Sequence, residues 1–274
     1  MNGIIVINKP ANMTSLDVIA CLRRRYRQKK FGHAGTLDPM ATGVMVVLAG
    51  TATKILPYIQ DTDKQYIASI QLGAKYDTDD VFGQIEQEAQ IHTDFDFEAV
   101  LKTFIGKQHQ KVPKASAKKI QGKKMYEYLR EGLEVPDVYT DIEIYDVSVI
   151  DQQELSFSID CSSGTYIRSV CRDFGQKTNN LAAMKSLVRT KANGFSIEQA
   201  QDLDAQEHVV YPINKLLNLP EIQAPEPDRI RNGQTVQLDC DDDLVLVMDQ
   251  GENLAIYKRK YEGKNWFSCE RGLR

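Results

Sequence analysis

One carboxylate and one histidine lie within a glycine-rich stretch of the chain, FGHAGTLDPMATGVMVVLAGTATK, at residues 31–54. Glycine is used where the backbone must turn sharply or approach another group closely. A carboxylate such as Asp38 can act as a general base or as a nucleophile when a fold presents it to a ligand. We therefore take this stretch, with Asp38 and His33, as the first candidate site.

Asp38 also has a purely structural interpretation. An aspartate followed by proline, here Pro39, is typical of a helix start, with the aspartate as N-cap and the proline in the first turn. Taken alone, these two residues favour the cap. The site interpretation requires instead that Asp38 face a groove.

A second candidate group lies where a predicted strand turns into a predicted helix. Alternating residues 155–161 indicate the strand, and the turn at 162–164 leads into a helix over 165–174. Arg168 lies off the apolar stripe of that helix, at a junction that would present it to a cleft. Cys171 belongs to the stripe, which argues against a nucleophilic role, and the nearby serines lack the G-x-S-x-G pattern of hydrolases.

Positive charge is concentrated in the first half of the chain, although the whole chain carries −4. Residues 1–130 contain 19 Lys and Arg against 13 Asp and Glu, a charge of +6, and the remainder carries −10. This asymmetry indicates a half that faces a polyanion. Six of the cations lie within eight residues at the end of the first predicted helix: Arg23, Arg24, Arg25, Arg27, Lys29 and Lys30.

These six cations have two interpretations. Cations complement the C-terminus of a helix, and they also bind RNA phosphates. A second basic segment, residues 108–124, is likewise either part of a nucleic-acid groove or a solvated loop.

Length and composition limit the class of protein. A chain of 274 residues suits one large domain, or one large and one small domain. It contains no run of 18 apolar residues and no signal-peptide pattern, so we expect a cytoplasmic protein without membrane association. The five cysteines are odd in number and lack a C-x-x-C pair, so we expect small buried hydrophobes in a reducing compartment.

The periodicity of apolar residues predicts a mixed α/β framework. Strands are predicted at 4–7, 66–72 and 155–161, and helices at 14–26, 165–174 and 181–188. The proline-rich residues 219–227 indicate a linker. The short alternating runs that follow predict a small β module, which should dock on the main domain because it is too small for comfortable stability alone.

Several separated stretches, in this order, resemble the TruB family of tRNA pseudouridine synthases. They are NKPANMTS (8–15), GHAGTLDPMATGVMVVLAGTATK (32–54), DKQYIASIQLG (63–73) with the following DTDDVFG, CSSGTYIRSVCRDFG (161–175) and LVRTKANGFS (187–196). Together they extend over most of residues 4–196. The stretch GHAGTLDPMATG is the most specific of them.

The resemblance implies both a fold and an activity. The fold would be α/β (α+β), with a mixed, mostly antiparallel sheet of pseudouridine-synthase type and flanking helices in residues 1–220. Residues 221–274 would form a small RNA-binding β module resembling a PUA domain. The activity would be isomerisation of uridine 55 in the TΨC arm of tRNA by a monomer that binds the T stem-loop. The reaction is redox-neutral and would need no metal and no cofactor.

The resemblance also implies roles for individual residues. Asp38 would be the catalytic aspartate, Tyr66 the active-site tyrosine beside the uracil, and Arg168 the arginine that pairs with the aspartate and favours its ionised form. The remaining implied residues hold the flipped-out nucleotide or support its pocket: His33, Lys9, Tyr166 and Leu187. Whether Asp38 attacks the sugar, attacks the uracil or removes the C2′ proton stays open.

Two positions depart from the family pattern, and two other functions stay open. Asn12 replaces a usual glycine, and Ala115 replaces a usual tyrosine before Ser-Ala. A non-catalytic RNA-binding protein on this scaffold, or an N-glycosidase that releases free base, are the alternatives. Product analysis separates them, since isomerisation leaves the mass of the RNA unchanged.

Overall fold

A ten-stranded sheet forms the centre of the protein in the computed structural model, which describes all 274 residues. Its strands and those of two small hairpins are, in chain order, β1 (Gly3–Lys9), β2 (Phe31–His33), β3 (Thr42–Ala49), β4 (Lys64–Leu72), β5 (Ala74–Tyr76), β6 (Ile85–Glu88), β7 (Gly106–Lys111), β8 (Lys119–Ile120), β9 (Lys123–Lys124), β10 (Tyr139–Asp151), β11 (Ser156–Cys161), β12 (Ala182–Ala192), β13 (Phe195–Ser196) and β14 (Gln201–Asp202).

The strand order of the large sheet is β14-β1-β3-β12-β4-β11-β10-β7, with β2 beside β3 and β13 beside β12. Only β1 with β14 and β3 with β12 are parallel neighbours. The predicted mixed, mostly antiparallel α/β fold is therefore confirmed.

The protein has five α-helices, α1 (Ser15–Arg25), α2 (Phe97–Lys102), α3 (Met125–Arg130), α4 (Ile167–Lys177) and α5 (Pro227–Arg231), with 3-10 turns at Gly50–Tyr58, Ile197–Gln199 and Ile213–Lys215. Helix α1 starts with the predicted capping box, in which the Asp17 N–H donates to Thr14 Oγ1 (3.1 Å) and the Thr14 N–H donates to Asp17 Oδ2 (2.8 Å). None of these helices combines the length and apolar character needed to cross a bilayer.

The core lies on both faces of the sheet. Ile5 of β1 shares a cluster with Leu22 of α1, whereas its neighbour Ile4 belongs to a cluster on the opposite face. This separation follows from the alternation of side chains along a strand. Phe157 of β11 and Phe174 of α4 belong to a third cluster, which holds α4 against the sheet.

A second sheet of five strands follows: β15 (Glu221–Gln223), β16 (Val236–Gln237), β17 (Leu244–Asp249), β18 (Glu252–Arg259) and β19 (Trp266–Gly272), in the order β15-β17-β18-β19-β16. Leu246 and Ile256 pack in the same apolar cluster as Ile4 of the large sheet. Lys54 also donates from Nζ to the carbonyls of Gly272 (2.9 Å) and Arg274 (2.8 Å). The predicted docking is confirmed, and the division of the chain at residue 220 into two domains stays a prediction.

Two sequence predictions about secondary structure were wrong. Residues 219–227 are not a plain linker, because β15 pairs with β17 and α5 starts at Pro227. Residues 181–188 are not a helix, because most of them belong to β12, which pairs with β4 along its length. The β12–β4 ladder contains register shifts at Met184/Ser186 and Arg189/Lys191. A bulge interrupts the two-residue alternation of a strand, so the apolar residues here acquire a spacing that resembles a helix.

Gly43 of β3 lies directly against the backbone of Arg189 in β12. A Cβ at Gly43 would lie 2.2 Å from the Arg189 carbonyl oxygen, and its φ is +102°. Gly106 has nearly the same φ, +105°, but a Cβ added there would have no other atom within 4 Å. Alanine substitutions at these two glycines therefore separate the effect of steric contact from the effect of backbone strain.

We expect Gly106→Ala to lose about 1–3 kcal/mol of unfolding free energy from backbone strain alone. Gly43→Ala should lose a further ~1–3 kcal/mol, because the new methyl group pushes β3 and β12 apart. Urea unfolding of both variants measures the difference. Equal losses would contradict the steric explanation.

Candidate active site

Asp38 and Arg168 form a bidentate ion pair. Arg168 Nε lies 3.0 Å from Asp38 Oδ2, and Arg168 Nη2 donates to Asp38 Oδ1 at 3.1 Å. The Arg168 side chain is 5% exposed, whereas the Asp38 side chain is 31% exposed. A paired guanidinium and carboxylate fix each other's orientation, so Asp38 is held in one position while part of it stays accessible.

The loop that carries Asp38 joins β2 to β3, and no helix begins at Pro39. The N-cap interpretation of Asp38 is therefore wrong. The Asp38 carboxylate instead pairs with a side chain 130 residues away in the sequence.

A cavity of about 440 Å³ opens beside this ion pair. Five of the seven residues predicted for the site and its pocket line it: Asp38, Tyr66, Tyr166, Arg168 and Leu187. The structure brings these five together from four separate parts of the chain. Lys9 and His33 are not among the lining residues, and both lie close to the Asp38 loop.

Arg168 also binds two other segments. Its Nη1 donates to the carbonyl of Thr78 (2.9 Å), and both Nη atoms donate to the carbonyl of Ala115 (3.2 Å each). Asp80 Oδ2 lies 3.5 Å from Nη1. Burial raises the pKa of Asp80, and the neighbouring Arg168 acts in the opposite direction. Sequence reasoning missed Asp80, although the DTDDVFG stretch that contains it was one of the matching motifs.

Ala115 makes its contact with Arg168 through a backbone oxygen. The departure from a usual tyrosine at this position therefore leaves that contact in place. Asn12, the other departure, has a φ of +62°. Asparagine tolerates this left-handed conformation better than most residues, as expected for a substitute of glycine.

Tyr66 of β4 forms part of the cavity wall and is 6% exposed. Burial raises the pKa of Tyr66 to about 12, although the nearby Arg189 guanidinium acts in the opposite direction. The phenol is therefore neutral at neutral pH. Arg189 is the residue directly opposite Tyr66 in the β4–β12 pair.

Arg189 of β12 binds the loop that carries Asp38. Its side chain is almost fully buried, and it donates to the carbonyls of Val44 (2.7 Å), Thr36 (3.2 Å) and Gly35 (3.3 Å). Arg189 has no carboxylate partner. Its hydrogen bonds to these carbonyls therefore offset part of the free-energy cost of burying the guanidinium charge. Sequence reasoning missed this residue. Its available signal was an arginine inside LVRTKANGFS, which was one of the matching stretches.

Lys9 and Ser15 hold the other side of the loop. Lys9 Nζ donates to the carbonyls of Pro10 (2.8 Å), Met13 (2.7 Å) and Pro39 (3.1 Å). The Leu37 N–H donates to Ser15 Oγ at 2.9 Å. Both residues flanking Asp38 in the sequence are thus fixed through their backbone atoms.

His33 and Tyr166 are positioned by local hydrogen bonds. The Gly35 N–H donates to His33 Nδ1 at 3.4 Å. Burial and the nearby Arg189 lower the pKa of His33, which favours the neutral imidazole. Gln110, which is buried, accepts from the Tyr166 N–H (2.8 Å) and donates to its carbonyl (3.1 Å).

The six cations at the end of α1 are all exposed. Arg23 donates to the Phe31 carbonyl (2.9 Å), and Arg25 donates to the carbonyls of Leu203 (2.8 Å) and Asp204 (3.0 Å). The other four form no ion pair: Arg24, Arg27, Lys29 and Lys30. Phe31, the first residue of β2, lies four residues before Gly35 of the cavity wall. The two residues are therefore at most about 13 Å apart. Phosphate contact by this run stays a prediction.

All five cysteines are free thiols, and only Cys161 and Cys171 are buried. The expectation of buried cysteines was therefore wrong for the other three, which are half-buried. Burial raises the pKa of the Cys171 thiol, which keeps it protonated. No three His, Cys, Asp or Glu side chains are grouped so that they could hold a metal ion.

The comparisons with known proteins agree on one family. The N-terminal domain model of TruB family pseudouridylate synthases matches residues 23–167. The chain is 38% identical to tRNA pseudouridine synthase B of Oceanobacillus iheyensis, over 94% of this chain and 93% of that protein. It is 40% identical to tRNA pseudouridine synthase B of Syntrophomonas wolfei, over 86% and 85% of the two chains.

Among solved structures, the fold is similar to a chain of a Cbf5-Nop10-Gar1 complex, with a TM-score of 0.69, 21% identity and coverage of 99% of this chain and 85% of that chain. A chain of an H/ACA RNP bound to a substrate RNA containing 2′-deoxyuridine gives a TM-score of 0.67 at 20% identity, with coverage of 99% and 85%. At these identities the likeness establishes the fold alone.

The buried ammonium of Lys9 predicts a pH dependence of stability. Burial lowers the pKa of Lys9 to about 8, with Asp38 acting in the opposite direction, whereas the ordinary lysine value is 10.5. Between these values the unfolded chain binds more protons at this site than the folded chain, so stability rises with pH. The free energy of unfolding of the wild type should therefore increase relative to that of Lys9→Met from pH 8 to pH 10.

Urea unfolding of both proteins at pH 7, 8, 9 and 10 measures this difference, and other titrating groups cancel in the comparison. Below about pH 8 the difference should be constant. A difference that stays constant up to pH 10 would show that Lys9 keeps an ordinary pKa.

Proposed function

Because the chain belongs to the TruB family of pseudouridylate synthases and is an isomerase that acts on tRNA, we propose that it converts uridine 55 of the T arm to pseudouridine, with Asp38 as the catalytic carboxylate. The single observation that carries the assignment of Asp38 is its geometry. It is a partly exposed carboxylate, oriented by Arg168, at the wall of a cavity.

The reaction suits one fixed carboxylate. It breaks the bond between N1 and C1′, turns the uracil, joins C5 to C1′ and removes the C5 proton. Positive charge that develops on the sugar in the transition state is stabilised by an anion already held in place. Arg168 supplies that preorganisation, because its other donors are bound to Thr78 and Ala115 and it cannot turn away from Asp38 without losing them.

The target uridine must leave its stack to reach Asp38. The cavity walls contributed by Tyr66, Tyr166 and Leu187 offer apolar and aromatic surface for the extruded base. Tyr66 is neutral at neutral pH, which suits contact with an uncharged uracil. His33, beside the loop, is assigned to the nucleotide as the family resemblance implies.

The RNA partner in this proposal is the T stem-loop. The exposed cations of residues 23–30 would bind its phosphates, and the five-stranded module after residue 220 would contact RNA further away. We propose that the protein works as a monomer in the cytoplasm.

Asp38→Asn should abolish turnover while tRNA binding survives, because the amide keeps the shape of the side chain but not its charge. The assay uses unmodified tRNA with tritium at C5 of uridine 55. Bonding of C5 to C1′ releases this tritium as water, and nucleoside mapping then locates the product. Asp146→Asn, at an exposed aspartate of β10, is the matched control and should leave turnover unchanged.

The same assay separates the competing functions. A product of unchanged mass at position 55 supports the proposal. Free uracil would identify an N-glycosidase, and binding without any tritium release by the wild type would identify a non-catalytic RNA-binding protein. Turnover by Asp38→Asn at the wild-type rate would remove Asp38 from the mechanism.

The salt dependence of tRNA binding tests the basic run. Replacing Arg24, Arg27, Lys29 and Lys30 by glutamine should reduce the slope of log K against log salt by about 0.7–0.9 for each phosphate contact that is lost. Arg23 and Arg25 are left in place because they hold backbone carbonyls.

The control is the triple change of Lys75, Lys102 and Lys185 to glutamine, since each of these exposed lysines already pairs with a glutamate. We expect this control to retain the wild-type slope. If both sets of changes give the same slope, the run serves only the C-terminus of α1.

A further inference from the structure

Two lysines to which the proposed function assigns no role line the same cavity as Asp38. Lys64 belongs to β4, and Lys118 belongs to the segment between β7 and β8. We propose that Lys64 and Lys118 form an anion subsite that binds the two phosphates flanking the extruded nucleotide, one lysine to each phosphate. This inference rests on the proposed function and names the part of the RNA that the cavity itself binds.

Lys64 is placed by the alternation of β4. It lies two residues before Tyr66, so both side chains emerge on the same face of the strand, and both line the cavity. A Cβ built on Gly35 would lie 3.6 Å from Lys64 Cε. The aliphatic part of the Lys64 side chain therefore packs against the loop that carries Asp38.

The Lys64 ammonium is only partly satisfied. It donates to the Thr62 carbonyl and forms no ion pair, although the Asp61 and Asp63 carboxylates are near enough to raise its pKa slightly. An ammonium has three donors, so two remain for a ligand. Burial, together with the nearby Arg189, lowers the pKa of Lys64, and a bound anion would relieve this cost of holding a charge in a partly buried wall.

Lys118 lines the cavity from a different segment of the chain, between β7 and β8. Ala115 lies three residues before Lys118, and its carbonyl accepts hydrogen bonds from Arg168. These bonds fix the segment at the site. Like Lys64, Lys118 has no ion pair, whereas two other lysines of the basic segment do: Lys111 with Asp137 and Lys123 with Glu131. Lys118 is also the only lysine of residues 108–124 that lines the cavity, so the segment places one uncompensated cation there.

The charge around the site identifies the ligand class. Arg168 is compensated by Asp38 and Asp80, and Arg189 uses its donors on carbonyls of the Asp38 loop and of β3. Lys64 and Lys118 are left as cations with free donors in a chain whose net charge is −4. Uracil and ribose are uncharged, so the only anions that an RNA substrate brings to this cavity are its phosphodiesters.

The test is a double-mutant cycle that combines one change in the protein with one change in the RNA. Two T stem-loop RNAs each carry one neutral methylphosphonate, at the phosphate 5′ or 3′ of the target uridine. Lys64→Met and Lys118→Met are compared with the wild type and with Lys215→Met, an exposed lysine without an ion pair outside the cavity. Dissociation constants are measured in an Asp38→Asn background so that turnover does not consume the RNA, and tritium release is measured with the native aspartate.

On unmodified RNA we expect each cavity lysine change to weaken binding about tenfold, the value for one charge-assisted hydrogen bond. One methylphosphonate should weaken wild-type binding to the same extent but have no further effect on Lys64→Met. The other methylphosphonate should be silent with Lys118→Met. Lys64→Arg, which keeps the charge, should restore sensitivity to the methylphosphonate.

Additive losses in the cycle, or binding by the cavity variants as tight as by Lys215→Met, would overturn the subsite. If a thermal melt shows that a Met variant is not folded, the Gln variant at the same position replaces it. The response of the wild type to the two methylphosphonates is measured without any lysine variant. If the wild type releases tritium but the cycle is additive, only the subsite fails. If the wild type releases none, the proposed function fails instead.

Discussion

The guanidinium of Arg168 is the group on which the arrangement of the site depends. Removing an arginine from water is costly unless carboxylates and further acceptors take up its donors. Here Asp38 and Asp80 supply the charge, and the carbonyls of Thr78 and Ala115 take up further donors. One buried cation thus joins α4 to three segments that are distant in the sequence, and the only one of these carboxylates that lines the cavity is Asp38.

The loop that carries Asp38 is held mainly through its backbone. Arg189 binds it at Gly35 and Thr36, Ser15 binds it at Leu37, and Lys9 binds it at Pro39. A loop fixed at this many points loses little entropy when a ligand arrives. Its rigidity comes from charged and polar side chains on β12, β1 and α1, which are themselves held by the core of the sheet.

Much of this fold follows from local rules. Continuous or alternating apolar residues predict β1, β4 and β11, and the Thr14–Asp17 capping box predicts the start of α1. β12 escapes those rules because its bulges disturb the alternation.

Within the site, residue types and spacing pointed to Asp38 and Arg168, and motif resemblance added Tyr66, Tyr166 and Leu187 to the predicted residues that line the cavity. The resemblance did not identify Arg189 or Asp80, and reasoning from residue types and spacing missed them as well. The partners of Arg189 are backbone carbonyls, which have no signature in the sequence. Asp80 meets Arg168 only through the tertiary fold. For the same reason Asp38 and Pro39 taken alone wrongly favoured a helix cap, since the actual partner of Asp38 lies 130 residues away.

The contact at Ala115 has an evolutionary consequence. Arg168 binds the main-chain oxygen at this position, and every amino acid carries that oxygen. Natural variation at residue 115 can therefore proceed without loosening the arginine, provided the backbone path is kept. A change of side chain there leaves the charges of Arg168, Asp38 and Asp80 in their arrangement.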